Sequence, residues 1–141
     1  MKKILLMFVL VGTLLYPAQN ETLYKRLGGY DAIASIATDF HIRLKNDPQL
    51  GRFWAYRGTD GMDRELQLLI DFMCEHTGGS THYAGRDMGL SHRGMNISGS
   101  DWKIFMRYLK VTLDEHKVKV TEQKEVIDFV ESLKSAIVER K

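Results

Sequence analysis

Apolar residues recur at helical spacing through most of the chain, and no stretch shows a convincing period-two alternation. The clearest stripe is Ile33, Ile36, Ala37, Phe40, His41 and Leu44, which sets one histidine inside an otherwise apolar helix face. Asp31 is the expected N-cap of that helix. Asp47-Pro48 is its expected end, because a proline drives the preceding residue out of helical geometry. Ahead of it, Leu23-Tyr24-Lys25-Arg26-Leu27 reads as a helical turn closed by Gly28-Gly29. Behind it, Phe53-Trp54 occupies a short connection. A third helix is predicted over about 62–77, with Leu66, Leu69, Phe72, Met73 and His76 on one face, Glu65 near its start and Gly78-Gly79 at its end.

Residues 80–94 are punctuated by Gly85, Gly89 and Gly94 and read as an extended loop that leads into a short helix around 87–93. A loop of that length in a small domain is usually functional or disordered. Tyr83, Met88, Leu90 and His92 argue against disorder. Ser98 and Asp101 then form a capping-box-like start, with Asp in the Glu/Gln place, for a helix carrying Trp102, Phe105, Met106, Leu109 and Leu113. Thr121 is the expected cap of a last helix carrying Val126, Phe129, Val130, Leu133 and Ile137. The expectation is an all-α fold of about six helices, the last two long ones antiparallel.

The chain has 141 residues, 44% hydrophobic and 27% charged, which suits one globular domain. Its formal net charge is +2, and Lys2 and Lys3 account for that excess. They precede an apolar run from Ile4 to Tyr16 and then Pro17-Ala18-Gln19-Asn20, the pattern of a secretory signal peptide over about 1–18. Tyr16 is large where a small residue suits cleavage, so an uncleaved membrane anchor and an N-terminal core helix stay open as alternatives. The expected location is outside the cytoplasm, in a periplasm, or anchored and facing it. Without the leader the chain is neutral, so it lacks the basic footprint of a nucleic-acid binder. A single cysteine, Cys74, excludes an internal disulfide and any all-cysteine metal site within the chain.

Common catalytic signatures are missing: there is no HExxH, CxxC, GxGxxG, phosphate-binding GxxxxGK[ST] or nucleophile elbow. What remains are two histidines, His41 and His92, in apolar surroundings. Phe40, Phe53, Trp54, Leu69, Phe72, Met73, Met88 and Phe105 are available to wall a flat apolar slot. A haem site needs such a slot, an imidazole on one side of the iron, and a group on the other side that controls ligands. The alternative is that both histidines and these aromatics are plain core.

The order of short motifs favours the first. Leu23-Tyr24-Lys25-Arg26-Leu27-Gly28-Gly29, Asp39-Phe40, Asp47-Pro48-x-Leu50, Phe53-Trp54, Gly78-Gly79, Tyr83-x-Gly85-Arg86-Asp87-Met88 and Ser91-His92-Arg93-Gly94 follow one another along the chain. In this order they resemble the group I truncated haemoglobins, bacterial and protist globins with a 2-over-2 helical sandwich, over residues 21–139. The resemblance implies a b-type haem held without a covalent bond, since no CxxCH attachment motif is present. It implies His92 as the proximal iron ligand and Phe53, Trp54, Leu69, Phe72, Met73 and Met88 as haem wall. Phe105 joins the wall on its apolar character. Arg86 falls where a haem propionate is within reach, or else is a surface arginine.

The distal side departs from the family. His41 stands where many members carry tyrosine, and Glu65, Leu68 and Leu69 stand where many carry glutamine or histidine. His41 is left with two roles, hydrogen-bond donor to a ligand or second iron ligand. Glu65 is expected as a solvated helix-start glutamate, or as a residue at the pocket mouth. The implied function is reversible binding of oxygen or another diatomic such as nitric oxide or carbon monoxide. The alternative is a bis-histidine electron-transfer or redox protein. Nitric-oxide dioxygenase or peroxidase-like turnover is a possible side activity, and its reductase partner is unknown. His76, His82 and His116 are expected to be structural or surface residues.

Overall fold

Thr22 opens the first helix, α1 (Leu23–Arg26), by accepting the Lys25 backbone N–H on its hydroxyl oxygen. The structure, a computed structural model, describes residues 21–140. The leader predicted over 1–18 lies outside the described residues. Gly28, at φ +101°, turns the chain straight into α2 (Gly29–Asn46). A Cβ there would sit 2.9 Å from the Ala32 Cβ, so both conformation and space demand glycine. The cap of α2 is therefore Gly28 and not the predicted Asp31. Asp31 lies in the first turn, where its charge suits the helix dipole.

The predicted stripe is the buried face of α2: Ile33, Ala37, Phe40, His41 and Leu44 are all inside. The helix stops at Asp47, whose carboxylate accepts from the Gln49 and Leu50 backbone N–H groups and from the Tyr108 hydroxyl. A 3-10 turn (Leu50–Phe53) leads toward α3 (Thr59–His76), which begins three residues before the predicted start. The end of α3 is tied to the start of the fold. Gly79 N–H donates to the Cys74 carbonyl at 2.8 Å, and Tyr24 N–H donates to the Thr77 carbonyl at 2.7 Å. A Cβ on Gly79 would meet the Cys74 carbonyl at 2.8 Å and the Tyr24 ring at 2.7 Å.

Asp87 caps the short α4 (Met88–His92) by accepting from Leu90 N–H. α5 (Gly99–Glu115) starts with the predicted box: the Ser98 hydroxyl accepts from Asp101 N–H, and the Asp101 carboxylate accepts from Ser98 N–H. The final predicted helix is two, α6 (Val120–Ser132) and α7 (Lys134–Ile137), broken at Leu133. Thr121 is not its cap. Lys119 holds that place, and the Thr121 hydroxyl donates to the Glu122 carboxylate instead.

α2 packs on α1, α3, the 3-10 turn and α5, while α5 packs on α6. The result is a helical sandwich with α2 and α3 over α5 and α6. No strand occurs among the described residues, only an isolated bridge between Ser98 and Arg140. The larger core joins Phe40, Leu44, Leu50, Trp102, Leu109, Leu113, Val126 and Val130. A smaller one joins Ile33 and Ala37 of α2 to Ile70 and Cys74 of α3. Each such buried aliphatic or aromatic side chain contributes about 1.5–3 kcal/mol. α4 packs chiefly against α7, so the proximal candidate hangs from the C-terminal end of the fold and not from the α2–α3 layer.

Candidate functional site

His92 ends α4, and its half-buried ring is fixed by its own helix. Its Nδ1 lies 2.8 Å from the Met88 carbonyl, one turn earlier. A carbonyl only accepts, so Nδ1 must carry the proton and Nε2 the lone pair. That is the tautomer an iron-binding imidazole requires, with its supporting hydrogen bond already made by the backbone. The Asp87 cap holds the short helix that carries the pair.

On α2, His41 is 4% exposed. Its Nε2 is buried and has no hydrogen-bond partner. Its nearest charged neighbour is Glu65 on α3, with Oε1 at 3.8 Å, beyond hydrogen-bonding distance. Burial pushes the imidazole below its ordinary value of 6.5; Glu65 pulls the other way, and Lys45 and Arg57 reinforce the burial. The ring is therefore neutral at pH 7, and one of its nitrogens waits for a partner the protein does not supply. Buried polar atoms are rarely left orphaned, so this nitrogen is a candidate contact for a bound group.

Glu65 is not the solvated helix-start glutamate expected from the sequence. Trp54 Nε1–H donates to its Oε1 at 2.8 Å, and the Arg57 guanidinium lies 2.6 Å from its Oε2. The indole and guanidinium fix the carboxylate beside the orphaned imidazole. Trp54 also meets His41 edge to face, with ring centroids 5.7 Å apart. Sequence reasoning took Trp54 as apolar wall and missed its N–H. It also missed Arg57, whose only signal is a position just ahead of α3 in a glycine-flanked connection.

Of the other wall candidates, Phe53 packs edge-on to Trp54 and carries the Arg52 guanidinium 4.1 Å above its ring. Leu69 and Met73 lie where the two core clusters meet, and Leu68, on the same helix, is half-buried. Met88 packs against the larger core. Phe105 is stacked on Trp102 and edge-on to Phe40. Phe72 belongs to an aromatic group with His76, Tyr83 and Phe129. Arg86 is exposed, and only its carbonyl is engaged, by the Tyr83 and Ser91 hydroxyls.

The remaining histidines are otherwise occupied. His76 repeats the Nδ1–H bond, to the Phe72 carbonyl, but its ring packs in a triangle with Phe72 and Phe129, at 4.1 and 5.3 Å. His82 is in the exposed loop beside Glu75, and His116 pairs with Asp39 at 2.7 Å. Two surface clefts, one around Ile36 and His116 and one around Met106 and Ile127, touch neither His41 nor His92.

A short helix ending in a histidine of fixed tautomer, and a buried histidine with an orphaned nitrogen on a separate helix, are the two imidazoles a haem protein of globin type calls for. Residues 22–139 match the family model described as bacterial-like globin. The chain belongs to that family, and within it to the group 1 truncated haemoglobins. It is 29% identical over 120 residues to a group 1 truncated haemoglobin of Nostoc sp., spanning 85% of this chain and 99% of the relative. It is 30% identical over 95 residues to one from Tetrahymena pyriformis, 67% of this chain and 76% of that one. The crystal structure of the Tetrahymena pyriformis protein in its Fe(III) form superposes with a TM-score of 0.76 at 27% identity, covering 84% of this chain and 98% of that one. A 2/2 haemoglobin from Synechococcus sp. PCC 7002, solved with covalently attached haem, gives the same score at 25% identity, covering 85% and 100%. Haem is the cofactor of this family, and the His92 and His41 arrangement fits it.

Proposed function

We propose that this chain binds haem through His92 Nε2 and presents His41 to a small ligand on the opposite side. When bound, haem supplies the iron at which a diatomic such as oxygen, nitric oxide or carbon monoxide is held. The Met88 carbonyl fixes the proton of His92 on Nδ1, which keeps the ligating nitrogen free and aligned. His41 provides the distal polar group in place of tyrosine. Its neutral ring donates to a ligand if Nε2 carries the proton, a bond worth about 1 kcal/mol when neutral. The orphaned Nε2 carries this reading, because nothing in the protein satisfies it.

The same observation favours a second reading, in which His41 is itself an iron ligand. A neutral buried imidazole with a free nitrogen is competent for either role. The absorption spectrum of the ferrous, haem-loaded chain separates them. A five-coordinate spectrum supports the donor role. A six-coordinate bis-histidine spectrum that becomes five-coordinate in His41→Ala supports the second. Failure of the purified chain to take up stoichiometric haem rejects both.

The leader supports a further part of the proposal, that the protein is exported. Lys2 and Lys3 followed by an uninterrupted apolar run are what that reading rests on. Fractionation and the mass of the mature chain test it, and a cytoplasmic product that keeps Met1 contradicts it.

A further inference from the structure

Glu65 is an unusual choice beside an orphaned distal nitrogen. A carboxylate accepts hydrogen bonds and carries a negative charge, whereas an amide or hydroxyl in its place would offer a donor. The structure takes trouble to keep it there. Trp54 Nε1–H holds Oε1 at 2.8 Å, on the side where His41 Nε2 lies 3.8 Å away. Arg57 pairs with Oε2 at 2.6 Å, its own side chain 45% exposed to water and that of Glu65 29%. The carboxylate is thus shared between an indole beside the buried ring and a cation more exposed than itself. Lys45, half-buried on the same helix, is the other charge near His41. Water screens the more exposed Arg57 more than it screens the carboxylate beside the buried ring.

From this arrangement we infer that Glu65 is the specificity-determining residue of the distal side, selecting neutral ligands and rejecting anionic ones. This rests on the haem-binding reading above. Neutral diatomics enter without electrostatic cost. Neutral ligands with hydrogens to donate, such as hydrogen sulfide or hydrogen peroxide, gain an acceptor in the free face of the carboxylate. Azide and nitrite meet a negative charge beside a buried ring, where like charges repel more strongly than in bulk water.

The test uses the full haem-loaded chain in the ferric state, titrated separately with azide and with nitric oxide. If His41 competes for the iron, it competes with both ligands alike, so the ratio of the two affinities reports charge selection alone. Glu65→Gln keeps the shape and removes the charge. It should tighten azide by about tenfold or more and change nitric oxide by less than about threefold. Arg57→Gln, which strips the outer counter-cation, should weaken azide relative to nitric oxide. Glu65→Leu provides a second neutral variant should the amide refold poorly, and it should move azide in the same direction as Glu65→Gln. An unchanged ratio in the loaded Glu65 variants, or equal tightening of both ligands, overturns the inference alone. A wild-type chain that takes up no haem removes the haem-binding reading and this inference with it.

Discussion

His41 is the residue in which burial, charge and function meet most closely. Its pKa is lowered in the folded chain, chiefly by burial. The unfolded chain therefore holds the proton more tightly than the folded one. Stability from the neutral ring is fully present above about pH 6.5 and is lost as pH falls through the lower folded value. In the haem-free chain, urea unfolding midpoints should drop over the window below about pH 6.5, and His41→Leu should flatten that part of the profile. A wild-type profile flat across that window would show that the imidazole is not buried as described. Asp101 is the acidic counterpart. Arg52, Gln49 and Ser98 surround its buried carboxylate and hold it well below the usual carboxylate range. Asp101→Ala removes the box at the start of α5 and strands those donors, so thermal or urea unfolding should register a loss of about 2 kcal/mol.

The helices explain why some of the site was legible in the sequence and some was not. The α2 stripe showed His41 facing inward because a 3.6-residue period is a property of one segment. The position of His92 came from the order of short motifs, but its bond to the Met88 carbonyl was not read from the sequence, although the i−4 spacing within α4 allows it. The α5 box was readable because Ser98 and Asp101 are three residues apart. Gly28 displaced Asp31 as the cap of α2 because the tight turn from α1 leaves no room for a Cβ beside Ala32. The clamp on Glu65 was invisible because it joins side chains from a loop and two helices, and no local pattern encodes that meeting. The same tight junctions predict where the fold is intolerant. Gly28→Ala adds left-handed strain to a clash and should cost about 1–2 kcal/mol in equilibrium unfolding. Gly79→Ala, wedged against the Cys74 carbonyl and the Tyr24 ring, should cost at least as much. Gly61→Ala, inside α3 where no atom lies within 4 Å of the place the new Cβ would take, is the comparison that should be neutral or stabilising.

At the scale of the molecule, two layers of helices hold the two histidines on separate supports. His41 and Glu65 belong to the α2–α3 layer, and His92 hangs on α4, which leans on α7. Arg26 of α1 closes the sandwich by bridging Glu122 and Glu125 of α6. A ligand that bonds to both supports stabilises the whole by mass action, by about 4 kcal/mol at a thousand times its dissociation constant. Haem should accordingly raise the melting temperature by at least about 10 °C, and the increase should vanish in a chain that cannot ligate it. The most direct measurement is haem uptake by His92→Gly, followed by its Soret band, with and without free imidazole. Ligation by His92 predicts an affinity at least about 100-fold below wild type, recovered in part when imidazole is added, with His82→Ala unaffected. Wild-type uptake by His92→Gly, or equal loss in both variants, would contradict it.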